Sequence, residues 1–481
     1  MNFTPLKNYQ DYLTSWRIPG NDCMVVKDGK EIYRYMSGYA DCEKGRKIAG
    51  DELYYFWSAS KVITCSLALK LHEEGKFIMN DPLSAYMPEF GDMTVRKTID
   101  GKEEIVKAEK PILVKNLFNM TAGFDYNIST PYIDEVKKKT NGRCPTREVA
   151  AAIAKNPLCF EPGEHWNYSL CHDVLGAFIE VVSGKKLRDY AREVLFEPLG
   201  MNDTTYNMPE ESKRSRFAVQ YNYRDDLGKF LPTNNTCGHF LGCDYDSGGA
   251  GVVSTCEDYM KFASTMANGG TSTSGYRYVS PATVELMATN TLGEAQMKDF
   301  NWGQLSGYGY GYGVRTMINK AVTGSLSPIG EFGWGGAAGV WVIIDPKNKL
   351  ALVYTQHMLN NQEHIISPRL RNILYSKKTA STGFQRRQFC VIRLFVVLRF
   401  FGFFFLVVAA VDEVENDVDG YDDEVEEVNY KNVDRSSFAC AQTCKLSNDT
   451  ADIADNYEKN ERKAHSFCRL CLVVFDNRKR P

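Results

Sequence analysis

Ser58 and Lys61 stand three residues apart in Trp57-Ser58-Ala59-Ser60-Lys61, at the head of a segment that continues Val62, Ile63, Ser66, Leu67, Leu69 and Leu71. That mixture of apolar and polar residues has helical spacing, and Gly75 stops it, so a helix ending near His72 is expected. On a helix, residues three apart share a face, which brings the Ser58 hydroxyl within reach of the Lys61 amine. A serine is a poor nucleophile until a neighbour takes its proton, and a lysine one turn away is suited to the task. The positive end of the helix dipole adds to this. Alone the pattern is weak, because so short a motif recurs by chance in chains of this length.

Other residues suggest chemistry and argue less. His165, Cys171, His172 and Asp173 lie close together, but their spacing fits no standard zinc site and points instead to packing or hydrogen bonding. Tyr308, Tyr310 and Tyr312 alternate with glycines, which would place three rings on one strand face, chiefly as packing. Cys440, Cys444, His465, Cys468 and Cys471 have only loose metal-ligand spacing. No metal or cofactor is called for.

The elements around Ser58 can be read from periodicity. Asp28-Gly29, with apolar and β-branched residues on both sides, marks a hairpin. Helices are suggested over 112–120, 147–154, 173–183 and 185–195, punctuated by Pro162-Gly163 and Pro198-Leu199-Gly200. Strand character returns after about residue 300, with Asp345-Pro346-Lys347-Asn348 turning between the last two strands, and 370–378 reads as a closing helix. Strands, then helices, then strands that must rejoin the first sheet define an α+β fold.

The chain has 481 residues, 57 basic and 60 acidic. Residues 379–481 hold 14 basic and 17 acidic side chains, leaving 43 of each for residues 1–378. A neutral body lacks the cationic footprint of a nucleic-acid binder. The N-terminus has no secretory h-region, so a cytoplasmic location is expected, and the nine cysteines before residue 375 are expected to be mostly reduced. After a linker, 379–388, the apolar stretch 389–411 is long enough to cross a bilayer. Lys377, Lys378, Arg386 and Arg387 precede it as the positive-inside tendency would have it; Arg399 near its centre, costing about 2.5–3.5 kcal/mol, argues the other way. A membrane anchor and an unstructured extension are both open here. Residues 412–428 carry ten acidic and no basic side chains, and 412–481 reads as an acidic, disordered tail.

Over about residues 15–378 the sequence resembles the serine β-lactamase-like superfamily, in particular class C β-lactamases and family VIII carboxylesterases. The resemblance rests on Ser58–Lys61 together with DPLSAYMPEF (81–90), ILVKNLFNMTAGF (112–124), EPGEHWNYSLCHDVLG (161–176), IEVVSGKKLRDYAREVLFEPLGM (179–201), DSGGAGVVSTCEDYMKF (246–262) and FGWGGAAGVWVIIDP (332–346), in the family's order. It implies a penicillin-binding-protein-like fold, an antiparallel sheet flanked by helices plus a helix-rich region. It also implies roles. Tyr168 of Tyr168-Ser169-Leu170 would be the general base, a role that needs an adjacent cation such as Lys61 to draw the phenol below its usual value of about 10. Leu170 replaces the family's asparagine on the substrate side and cannot hydrogen-bond an amide. Trp334-Gly335-Gly336 falls where β-lactamases carry Lys-Thr-Gly, with the Ser58 and Ala337 amides as the oxyanion hole.

Trp334 removes the cation that would hold a β-lactam or peptide carboxylate and supplies an aromatic wall, as in the esterase branch. The expected function is therefore ester hydrolysis of a small molecule through an acyl-enzyme. A β-lactamase or D-Ala-D-Ala peptidase, and a catalytically silent scaffold of the same fold, are the alternatives.

Overall fold

Residues 2–234, 237–376, 395–400 and 403–408 are described by the structure, a computed structural model. Helix α1 (Thr4–Trp16) leads into strands β1 (Gly20–Lys27) and β2 (Lys30–Asp41), joined at Asp28-Gly29. Both turn residues have positive φ, 51° and 73°, as a tight hairpin demands. With β3 (Arg46–Lys47), β4 (Tyr308–Tyr310), β5 (Arg315–Met317), β6 (Phe332–Gly333), β7 (Trp341–Asp345) and β8 (Leu350–Thr355) they form one eight-stranded sheet, in the order β4-β5-β6-β7-β8-β1-β2-β3. Every pairing in it is antiparallel.

The long-range closure runs through β1 and β8, in register from Asp22–Thr355 to Lys27–Leu350. All six residues of β8 are buried, as a strand covered on both faces must be. Helix α4 (Cys256–Ala267) packs on β1, β7 and β8, while α1 packs on β2 and on α5 (Glu363–Tyr375).

Helix α2 (Ser60–Glu73) is the axis of the helical region and packs against α3 (Cys171–Ser183). It is buried on all sides from Ser60 to Leu69 rather than along one stripe, the state of a helix inside a core. Its polar residues are internally satisfied: Thr64 Oγ1 donates to Gly248 O at 2.6 Å, and Ser66 Oγ donates to Ile63 O at 2.8 Å.

Several expected helices differ in extent. The 112–120 segment is helical only over Val114–Phe118, since Leu113 is extended and Met120 has φ 61°. The 185–195 segment is α-helical over Leu187–Ala191 and then widens into a π turn, Arg192–Phe196. The closing helix is α5, beginning seven residues earlier than its predicted start at 370. Tyr312 lies beyond β4, so the three tyrosines do not share one strand face.

Two compact units divide the chain, Met1–Gly383 and Phe384–Pro481. In the second, Phe395–Phe400 and Phe403–Val408 are antiparallel strands. The transmembrane helix expected as one reading of 389–411 is therefore not found; Phe, Val and Leu in a short apolar run suit a strand pair as well as a helix, and periodicity alone does not separate them. Among the described residues no helix is long and apolar enough to cross a membrane. The acidic run 412–428 and the tail's cysteines and His465 lie outside the described residues.

Candidate active site

Ser58 sits in a single 3-10 turn, Trp57–Ala59, immediately ahead of α2. Trp57 holds a left-handed φ of 47°, a conformation that costs a bulky residue energy and persists only when its surroundings enforce it. Its indole Nε1 donates to Gln220 Oε1 at 3.1 Å, which helps to hold the turn. Lys61 is fully buried, its Nζ 3.3 Å from Ser58 Oγ and 2.7 Å from Gly249 O. The predicted Ser58–Lys61 juxtaposition is thus present.

Gly249 is required for that arrangement. A Cβ there would come within 2.5 Å of Asp173 Oδ2 and 3.4 Å of Lys61 Nζ. Gly336 serves similarly on the opposite wall, where a Cβ would meet Phe56 O at 2.3 Å, so the Trp334-Gly335-Gly336 segment can press against the Ser58 turn.

Tyr168 precedes α3 on a loop pinned by Asn167 N to Met120 O and Leu170 N to Asp125 O. Its ring stacks between Tyr126 and Trp334, at centroid distances of 5.4 and 5.8 Å, and meets the edge of Trp302 at 5.3 Å. Trp334 Nε1 donates to Tyr168 Oη at 3.3 Å, and Lys61 Nζ lies 4.7 Å from the Tyr168 ring centre. A cation and an N–H donor therefore both favour negative charge at the Tyr168 oxygen.

Burial works against the Lys61 ammonium. The neighbouring oxygens of Tyr126 and Tyr168, a hydrogen bond to Tyr168, and the Asp173 carboxyl outweigh it and hold the Lys61 pKa above the ordinary lysine value. The lysine is a resident cation, not a free amine waiting to accept a proton. Tyr126, also buried, is pushed up to about 12 and stays neutral; it hydrogen-bonds Ser58.

Ser58, Tyr168, Trp334, Gly335, Gly336 and Ala337 all line one cavity of about 150 Å³, with Trp302, Trp341, Arg315 and Glu363. The Ala337 amide donates to no protein acceptor among the described residues, while its carbonyl accepts from Asn361 Nδ2 at 2.8 Å. Leu170, predicted on the substrate side, is instead in the core at 1 % exposure and absent from the cavity wall. A leucine caps α3 there by burying its side chain, having nothing polar to present.

The His165–Asp173 group separates. His165 reaches Asp299 at the surface, 3.0 Å away. His172 contacts Phe118 O at 3.1 Å and is driven down to about 3 by burial and by Lys61. Cys171 Sγ accepts from Ser169 Oγ at 3.2 Å. Asp173 accepts from Tyr245 Oη (2.8 Å) and Ser247 Oγ (2.6 Å) beside Lys61. Among the described residues no group of three or more His, Cys, Asp or Glu is placed to hold a metal, and the nine described cysteines are free thiols.

Tyr126, Trp302 and Glu363 were not identified as site residues from sequence, whereas Asp173 was named there for packing or hydrogen bonding rather than as a partner of Lys61. The first three are distant from Ser58–Lys61 along the chain and are made local only by the fold; Tyr126, two residues past the 112–124 block, was the nearest of them to a signal.

A serine turn at the head of a buried helix, a tyrosine loop and a glycine-rich strand facing each other define a penicillin-binding-protein-like fold. The chain belongs to the beta-lactamase family, whose profile matches residues 7–374. It is 25 % identical over 401 residues to Esterase EstB of Burkholderia gladioli, covering 77 % of this chain and 94 % of that one. It is 27 % identical over 377 residues to a putative D-alanyl-D-alanine carboxypeptidase of Escherichia coli O157:H7, covering 72 % and 79 %. Among solved structures, EstCE1, described as a hydrolase with promiscuous acyltransferase activity, shares the fold with a TM-score of 0.63 at 23 % identity, over 77 % of this chain and 97 % of that one.

Proposed function

We propose that this protein is a carboxylesterase that cleaves small esters through an acyl-enzyme on Ser58. The observation that carries the reading is that Ser58, Tyr168 and Ala337 line one small, aromatic-walled cavity, with the buried Lys61 amine 3.3 Å behind Ser58 Oγ. Ser58 Oγ attacks the ester carbonyl as its proton passes to Tyr168 Oη. Lys61 and the Trp334 N–H stabilise the negative charge that Tyr168 carries, and the Ser58 and Ala337 amides stabilise the oxyanion. Tyr168 returns the proton to the departing alcohol. Water then attacks the acyl-enzyme by the same steps in reverse and releases the acid.

Two features favour ester over β-lactam or D-Ala-D-Ala chemistry. The Trp334 indole occupies the position of a carboxylate-binding cation, and the cavity carries a carboxyl of its own, Glu363. The test is turnover of p-nitrophenyl acetate and butyrate by the full chain beside Ser58→Ala. Hydrolysis lost in the variant supports the assignment, and equal rates overturn it. Nitrocefin turnover exceeding ester turnover would favour the β-lactamase reading instead.

A further inference from the structure

Glu363 is the one ionisable side chain in the cavity wall that the proposed ester chemistry does not use and no described residue pairs. It opens α5 directly after Gln362, which is held at φ 60°. A Cβ on Gly335 would lie 3.2 Å from Glu363 Oε1, so the carboxyl borders the same glycine strand that faces Ser58. No described residue hydrogen-bonds it or forms an ion pair with it within 4.0 Å.

Arg315 is the nearest candidate partner, and its charge is already taken. Arg315 and Glu331 are both completely buried, with Nη2 donating to Glu331 Oε1 at 2.8 Å; the guanidinium also donates to Val342 O at 3.2 Å and lies 4.1 Å from the centre of the Trp341 ring. With Arg315 committed to Glu331, which lies behind the cavity wall, no described cation is left to pair Glu363 within it. Burial accordingly pushes Glu363 up to about 7 despite the attraction of Arg315. Leaving a carboxylate unpaired in such a place is unfavourable unless something entering the cavity completes it.

The walls narrow what that something is. Trp302, Trp334 and Trp341 surround the space with indole rings, whose faces attract cations and whose bodies suit short alkyl chains. We propose that Glu363 and the tryptophans form a subsite for an ammonium group, so that the cavity takes small esters bearing a protonated amine and disfavours those bearing a carboxylate. This rests on the esterase reading for the identity of the ligand as an ester, but not for the binding of the amine.

Binding to the full chain carrying Ser58→Ala separates the two. Ethyl β-alaninate and ethyl butyrate are nearly isosteric and differ by an ammonium in place of a methyl. Calorimetric titration is expected to show the ammonium ester binding about tenfold or more tighter, the scale of a charge-assisted contact with aromatic support. Adding Glu363→Gln, which keeps the shape, is expected to bring the ratio to about one, with a thermal melt confirming that the double variant is folded. Equal affinities in Ser58→Ala, or a preference that survives Glu363→Gln, would overturn the proposal. Tighter binding of the ammonium ester, with neither ester hydrolysed by the unsubstituted chain, would uphold the subsite and reject the esterase reading.

Discussion

Replacing Trp334 with Phe would separate a wall from a hydrogen-bond donor. The phenyl ring retains the stack on Tyr168, now 5.8 Å between centroids, but loses the Nε1–H that donates to Tyr168 Oη at 3.3 Å. A donor to a neutral oxygen is worth about 0.5–1.5 kcal/mol and one to a charged oxygen about 1.5–3. The bond is therefore worth roughly 1–2 kcal/mol more to the Tyr168 phenolate that takes the Ser58 proton than to the neutral phenol, with 3.3 Å placing it toward the lower end. Losing that increment makes the base-competent phenolate harder to populate before Ser58 attacks. Converted to rate, kcat should fall roughly five- to thirtyfold while KM changes little. The assay is steady-state hydrolysis of p-nitrophenyl butyrate over a full concentration range, checked by pre-steady-state bursts to show that acylation is what slowed. A raised KM with kcat intact would show that Trp334 serves only as a wall, and the reasoning about Tyr168 charge would fail.

Further outcomes follow from buried charges and close contacts. Glu331→Gln should destabilise the fold by about 3–5 kcal/mol in urea, because it strands Arg315 in a fully buried site. Gly249→Ala should cut ester turnover by about a hundredfold with the far-ultraviolet circular dichroism retained, since its methyl would displace Lys61 or Asp173. Glu363→Gln should change stability with pH. Its folded pKa, about 7, lies above the ordinary 4.5, so the native protein is favoured while the acid is protonated and loses that favour as pH rises from 4.5 through 7. The variant should match the parent near pH 4.5 and exceed it by up to about 3 kcal/mol at pH 8 in urea melts; equal stability at pH 8 would show that the carboxyl is solvated.

Much of the candidate site was legible because its parts are local. Ser58 and Lys61 meet through one helical turn, and Trp334-Gly335-Gly336 meets the Ser58 turn because glycines admit a backbone at Phe56 O. The return of β8 to β1 was legible too, since a two-stranded start needs partners and the apolar strands after residue 300 supply them. Leu170 was misplaced because a sequence position implied a direction the buried side chain does not take. Tyr126 and Glu363 were missed because their relation to Lys61, or to the cavity, is purely tertiary, and Asp173, named for hydrogen bonding or packing, meets Lys61 only through the same folding. For 389–411 the same apolar run satisfied helix and strand patterns, and pairing between Phe395–Phe400 and Phe403–Val408 decided it.

The nucleophile itself is the most direct point of test. The folded full chain, treated with a fluorophosphonate and digested for peptide mass mapping, should carry one adduct on Ser58, formed with loss of p-nitrophenyl butyrate turnover and absent from Ser58→Ala. No adduct on the folded protein, or an adduct on another residue that accounts for the lost activity, would contradict the account.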